Sequence, residues 1–281
     1  MQSHLQKREL DYWSRQWSKT NMDFSACEDF WNDRAGNFNQ NVVSKEKITE
    51  MMIGGLKEKG LINYSSHILD IGCGPGTHAI PMAKKAEKVT AIDISEKMLE
   101  HLNNRAEELS LTNLITKKVN WTDIDLEKEQ WAKRFDLVFA SMSPAIHNYE
   151  TLKKMCEASR GWCYLSAWVK RQNKIEDALL EVVRKKEEDS GILENKIYYT
   201  FNILWNMGYY PEVTYTERKW TGIQDFDEAL ESYTKKLKIL HTLDEQDHKK
   251  IRNRLLDFKK EGKVEEESDA VVGTVIWKVE P

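Results

Sequence analysis

Two aspartates and a run of glycines carry the chemistry most legible in this chain. Asp70-Ile71-Gly72-Cys73-Gly74-Pro75-Gly76 issues from the apolar run HILDI (67–71), and Asp93 closes the run KVTAID (88–93), 21 residues after Gly72. Glycines let the main chain turn sharply and let a ligand approach it closely. A carboxylate ending the next strand can accept two hydrogen bonds from a ribose diol. The loop reads G-x-G-x-G rather than the G-x-G-x-x-G of a dinucleotide site, and Asp70 stands two residues ahead of the first glycine. A carboxylate there repels a diphosphate and spoils the anion site of a helix N-terminus. The residues therefore ask for an adenosine ligand without phosphate and with net positive charge.

S-adenosylmethionine meets that description through its ammonium and sulfonium, with Asp70 facing the methionine amino end and Asp93 the ribose. A nicotinamide dehydrogenase fails on the loop spacing and on Asp70. Methyl transfer from a sulfonium is an in-line displacement on an activated donor, so alignment in a water-poor site comes first, and a general base matters only for a protonated nucleophile. His147, in Ser141-Met142-Ser143-Pro144-Ala145-Ile146-His147, is the candidate base because histidine titrates near neutral pH. Ser143 and His147 of that segment, with Trp31 and Trp168, are the candidate acceptor contacts; Arg34 and Arg171 could meet an anionic acceptor.

The elements that must position these residues follow from apolar periodicity. Strands are expected at 67–71, 88–93, 114–120, 135–141 and 162–168, with helices at 77–86, 95–109 and 149–158 between them. Strands alternating with helices imply right-handed crossovers and a parallel sheet covered on both faces, with the ligand crevice beyond the carboxyl ends of the strands. Further along, helices at 175–188 and 193–207 precede a strand at 212–220, and two charged helices at 226–240 and 245–261 precede a last strand at 271–279. The expected organisation is one domain: an aromatic helical cap (1–50), a cofactor-binding core (51–221), a helical insertion at a sheet edge with a solvated charged face (222–267), and a final strand (268–281).

LDIGCGPGT followed by VTAIDIS resembles the cofactor signature of class I S-adenosylmethionine-dependent methyltransferases, in particular the small-molecule type 11/25 members. VNW, FDLVFASMSPAIH and the N-terminal FWNDRAGNFN line up in the same order, covering about residues 30–168. The resemblance implies a Rossmann-like α/β fold with a seven-stranded, mostly parallel sheet and an antiparallel last strand. It also implies that Asp70, Gly72, Cys73 and Gly74 contact the methionine portion, Asp93 the ribose, and Ile94 and Met98 the adenine. Asn120 takes a position often held by an aspartate that meets the adenine amino group, with Trp121 beside it; its amide oxygen can accept the same bond without the charge. Ser141 would lie beneath the sulfonium and Phe38 over the cofactor. Enzymes that methylate exocyclic amines of bases commonly carry N/D-P-P-Y/F after strand four, and Ser-Met-Ser-Pro lacks its leading amide, second proline and aromatic.

Composition narrows the partners. With 42 basic against 46 acidic residues in 281, the net charge is −4, so no broad cationic field gathers nucleic acid or an anionic membrane. Four cysteines without metal-type or disulfide-scaffold spacing, and a start without an apolar signal core, suggest a cytoplasmic protein. The expected function is methyl transfer to a small-molecule acceptor; an RNA- or protein-modifying methyltransferase and a non-catalytic cofactor-binding scaffold are the alternatives. The acceptor atom stays open among O, N, S, C and a metalloid.

Overall fold

The computed structural model describes residues 4–17, 23–183, 195–239 and 241–279, with residues 4 and 36–48 described by their backbone alone. Five strands build the parallel part of one sheet: β1 (His67–Ile71), β2 (Lys88–Asp93), β3 (Leu114–Lys118), β4 (Phe135–Ser141) and β5 (Ser159–Asn173). β6 (Glu212–Asp225), the two-residue β7 (Lys259–Lys260) and β8 (Lys263–Lys278) complete it. The order is β3-β2-β1-β4-β5-β8-β6, with β7 beside β8. β8 is antiparallel to both β5 and β6, so it is the strand that runs against the rest. The Rossmann-like α/β architecture and the reversed last strand are as the sequence resemblance implies.

Because successive strand residues face opposite sides, β1 feeds two cores. Leu69 and Ile71 join one apolar cluster with Val138, Leu165, Val275 and Trp277, while Ile68 joins the other with Val89, Leu137 and Phe139. On the first face lie α1 (His4–Trp17), α5 (Tyr149–Ala158) and α7 (Lys196–Asn206); on the second lie α3 (Ala79–Ala83), α4 (Glu96–Glu108) and the C-terminal part of α2 (Phe24–Glu58). The N-terminal cap thus divides. Trp17, 1% exposed, stacks on Tyr199 of α7 at 6.1 Å and belongs to the core. α2, by contrast, passes beside the end of β2, where Asn32 and Ser95 are hydrogen-bonded at 2.7 Å.

The largest departure from expectation lies in the last strands. β5 runs on to Asn173 instead of stopping at Trp168, β6 continues to Asp225 instead of stopping at Trp220, and β8 begins at Lys263, inside the stretch (222–267) read as helical insertion. β4 ends at Ser141 opposite Ser166, so the seven further residues of β5 project about 20 Å beyond the parallel strands. The charges that hid this ribbon pair across strands, as Lys219 does with Asp269 at 3.2 Å. Helices α6 (Lys174–Val183), α8 (Phe226–Lys238) and α9 (Glu245–Leu256) bury their apolar faces together against Val264, through Leu179, Phe226, Tyr233 and Ile251. The insertion packs its apolar side into a lobe at the raised end of the sheet, leaves charged residues such as Asp227, Glu228 and Lys249 exposed, and joins α2 through an ion pair of Lys235 with Asp33.

Candidate active site

The glycine loop is pinned before any ligand enters. Gly72 and Cys73 donate their amides to the Ile92 carbonyl at 2.8 and 3.0 Å, which draws the loop against the end of β2. Gly72 has φ 71°, and a Cβ on it would meet Ser143 Oγ at 2.1 Å. Glycine is thus required both by the left-handed backbone and by the close approach of the segment that follows β4. Gly74, also left-handed at φ 53°, faces open space where a Cβ would point.

Asp93 accepts from the Gly74 amide through Oδ2 and from the Ser95 amide through Oδ1, each at 2.8 Å. Its carboxylate is thereby locked across the mouth of the loop, with lone pairs left for a diol. Ser95 in turn caps α4 by accepting from Met98 N at 3.2 Å. Asp70 is 1% exposed, and its Oδ2 has no hydrogen-bond partner, nor has the buried Oγ1 of Thr77 on the other side of the loop. Burial pushes the Asp70 carboxyl up to about 8, and the neighbouring Asp93 pushes the same way. A buried, unpartnered acid beside glycine amides and an open backbone fits the ammonium of S-adenosylmethionine, since a cation there satisfies the orphaned oxygen. A diphosphate would do the reverse.

The structure assembles most of the remaining predicted residues around this point. Ser141 Oγ, at the end of β4, and Ser166 Oγ, opposite it on β5, lie 2.9 Å apart. Met142 then takes a left-handed φ of 54° and donates its amide to the Ser166 carbonyl at 2.9 Å, turning the chain so that Ser143 packs on Gly72. Ile94 is half-buried at the crevice edge and Met98 is 2% exposed on α4. Cys73 is buried, and its thiol is pushed well up by burial, which keeps it un-ionised.

Other predicted residues are engaged elsewhere. Trp121 is 2% exposed and donates Nε1–H to the Thr151 carbonyl at 3.1 Å, so its ring belongs to the core beside the site. Asn120 uses Oδ1 as an N-cap, accepting from Thr122 N at 3.0 Å. Trp31 packs edge-on to Phe30 at 5.0 Å, next to Cys27, which lies near enough to Asp93 to feel its charge. The side chain of Phe38 lies outside the described residues. His147 has both ring nitrogens occupied: Nδ1 is 3.2 Å from the Ala145 carbonyl, and Nε2 is 3.2 Å from Asn148 Nδ2. Burial lowers its pKa, and Lys196 adds to the effect, so the ring is neutral at pH 7. Trp168 stands on the projecting part of β5, stacked on Trp220 of β6 at 5.6 Å.

Lys196 was not singled out by its sequence context. It opens α7, is buried, and donates to the Ser143 carbonyl at 2.7 Å, with its pKa lowered to about 7 by burial. Nothing local in Glu194-Asn195-Lys196-Ile197 announces this, because the contact joins residues 53 apart.

Comparison with known proteins agrees with this geometry. Residues 68–162 match the methyltransferase domain family. An uncharacterized protein of Haemophilus influenzae is 26% identical over 190 residues, covering 66% of each chain. The ubiquinone biosynthesis O-methyltransferase of Coxiella burnetii is 32% identical over 82 residues, 29% of this chain and 32% of the relative. The matched stretch is thus just under two thirds of the first of these relatives and about a third of the second. In fold, the chain is similar to magnesium protoporphyrin IX methyltransferase of Synechocystis PCC 6803, solved with bound S-adenosylhomocysteine, with a TM-score of 0.50 and 16% identity over 90% of this chain and 99% of that one. Strand order, loop chemistry and the matched residues converge on a class I S-adenosylmethionine-dependent methyltransferase domain, matched over residues 68–162.

Proposed function

We infer that this protein transfers a methyl group to a small-molecule acceptor held between the end of β4 and the raised ribbon of β5, β6 and β8. The observation that carries the reading is Asp70, a buried carboxyl with an unpartnered oxygen beside glycine amides at the carboxyl end of the sheet. When bound, S-adenosylmethionine supplies an electrophilic methyl on a positively charged sulfur. The chain's own part is alignment and exclusion of water. Asp70, Gly72 and Gly74 hold the amino-acid end; Asp93 holds the ribose; Ile94 and Met98 flank the base. Ser141 and Ser166 form the floor beneath the reacting centre, and Lys196 fixes Ser143 against Gly72 so that the segment after β4 cannot drift.

His147 serves as a base only if Asn148 releases Nε2, which carries the lone pair when Nδ1–H donates to Ala145. The four described cysteines are free and buried, which suits a reducing, cytoplasmic setting. No described helix is long and apolar enough to cross a membrane. A small molecule is favoured over RNA or protein by the lobe of α6, α8 and α9, which stands at the raised end of the sheet and joins α2 beside the crevice. The test is incubation of the protein with isotope-labelled methyl donor and a metabolite extract: label in a low-molecular-weight product is expected, and label only in macromolecules refutes it. Asp93→Ala should abolish thermal stabilisation by S-adenosylhomocysteine, and NAD should stabilise neither form.

A further inference from the structure

The raised ribbon and the insertion lobe enclose a group of charges that are not fully paired. Arg34 on α2, Arg171 on β5 and Lys236 on α8 face Glu176 on α6 and Glu266 on β8. The two carboxylates are already committed. Glu266 accepts from Tyr233 Oη at 2.9 Å and from Ser268 Oγ at 3.0 Å, and Ser268 is itself held by Asn173 Nδ2 at 3.0 Å. Glu176 accepts from Lys236 Nζ at 2.5 Å and pairs with Arg171 at 3.1 Å. Asp177, the next acid on α6, is exposed, though near enough to Arg171 to feel its charge.

One guanidinium, Arg34, is left without an ion pair among the described residues, and the other, Arg171, is met only in part by Glu176 and Glu266. The Nε of Arg171 is buried without a hydrogen-bond partner. Arg34 forms no ion pair among the described residues; its Cζ lies 5.2 Å from the Phe30 ring, and burial, with Arg171 nearby, depresses its pKa. Two arginines held close together, partly desolvated and short of acceptors are a poor arrangement unless an anion completes it. Beside them is a flat apolar wall: Trp168 and Trp220 are stacked at 5.6 Å, and the Arg171 guanidinium sits 5.8 and 5.7 Å from their rings. Trp168 is two residues beyond Ser166, about 7 Å along the strand from the floor of the crevice.

We propose that the methyl acceptor is an organic acid whose carboxylate is gripped by Arg34 and Arg171 while its apolar body lies on Trp168 and reaches down to Ser141 and Ser166. The proposal rests on the methyltransferase reading of the same crevice and names the substrate class within it. A planar carboxylate matches the fork of a guanidinium, and the pre-stacked tryptophans hold Arg171 in place before the acid arrives. The unbridged Arg34 and the orphaned Arg171 Nε also select against neutral and cationic molecules of the same shape, which would leave those donors unmet.

The test uses the full chain saturated with S-adenosylhomocysteine, titrated with benzoate and, separately, with the neutral isostere benzamide, read by tryptophan fluorescence. Benzoate should bind at least tenfold more tightly than benzamide. Arg34→Gln should erase that preference while leaving the affinity for S-adenosylhomocysteine unchanged, which also shows that the variant is folded; Arg34→Lys should restore part of it. Equal affinity for the two probes, or a preference that survives in Arg34→Gln and Arg171→Gln, overturns the proposal and leaves the methyl-donor reading standing. A matching loss of S-adenosylhomocysteine affinity in Arg34→Gln would place the guanidinium on the donor and also overturns it. Failure of the wild-type chain to bind S-adenosylhomocysteine removes the reading underneath.

Discussion

Affinity for the methyl donor should depend steeply on pH below about 8, because binding needs Asp70 in the form the ligand-free protein resists. Burial, reinforced by Asp93, raises the Asp70 carboxyl to about 8. In the ligand-free protein about 1% of Asp70 is ionised at pH 6 and about half at pH 8, so a ligand that binds only the carboxylate form gains roughly fifty-fold, or about 2.3 kcal/mol, across that interval. Calorimetric titration with S-adenosylhomocysteine at half-unit steps from pH 6 to 8.5, in two buffers of different ionisation enthalpy, measures both the slope and the proton released. Asp70→Asn should bind more weakly and lose most of the slope. An affinity flat from pH 6 to 8, or an unchanged slope in Asp70→Asn, refutes the assignment of the buried acid to the ligand's ammonium. The ligand-free protein supplies a check of opposite sign. Its Asp70 ionises far more readily once unfolded, near the ordinary carboxyl value, so this group destabilises the fold progressively as pH rises from about 4 to 8. Asp70→Asn should therefore melt higher than wild type at pH 8 while being defective in binding.

Three further perturbations probe the parts around it. Gly72→Ala forces a left-handed alanine whose Cβ meets Ser143 Oγ at 2.1 Å; it should destabilise the fold by about 2 kcal/mol or more and abolish S-adenosylhomocysteine binding, read by thermal shift. Lys196, lowered to about 7 in the fold, is protonated more readily when unfolded, so its contribution to stability increases as pH rises from about 7 to 10. Lys196→Met should remove that rise in a melting-temperature series, and an unchanged series would show that the ammonium is not desolvated. His147→Ala should lower turnover without altering donor affinity if the ring acts as base; equal turnover, measured with labelled donor once an acceptor is in hand, assigns His147 to holding the loop after β4.

The cofactor half of this protein was legible because its determinants are local. Strand, glycine loop and helix lie within a few residues of one another, each glycine answers to a backbone conformation, and Asp93 reaches Gly74 across a single crossover. A hydrophobic run ending in glycine has few other ways to fold, so β1, β2 and β4 fell where the apolar pattern placed them. The acceptor half was not legible, since its residues meet only in three dimensions. Residues 263–267 read as part of the charged insertion until cross-strand partners are known, because Lys and Glu at strand positions are stabilised by neighbours on β6 and not by their own sequence. Trp121 and Asn120 illustrate the same limit: the family resemblance sets them beside the adenine, and only the fold shows the indole bonded to the Thr151 carbonyl and the amide oxygen capping the turn at Thr122. The burial of Lys196 and the incomplete pairing of Arg34 and Arg171 exist only as tertiary facts. Charge in a chain is a sum, but an unpaired charge is a matter of distance, and the fold alone assigns the distances.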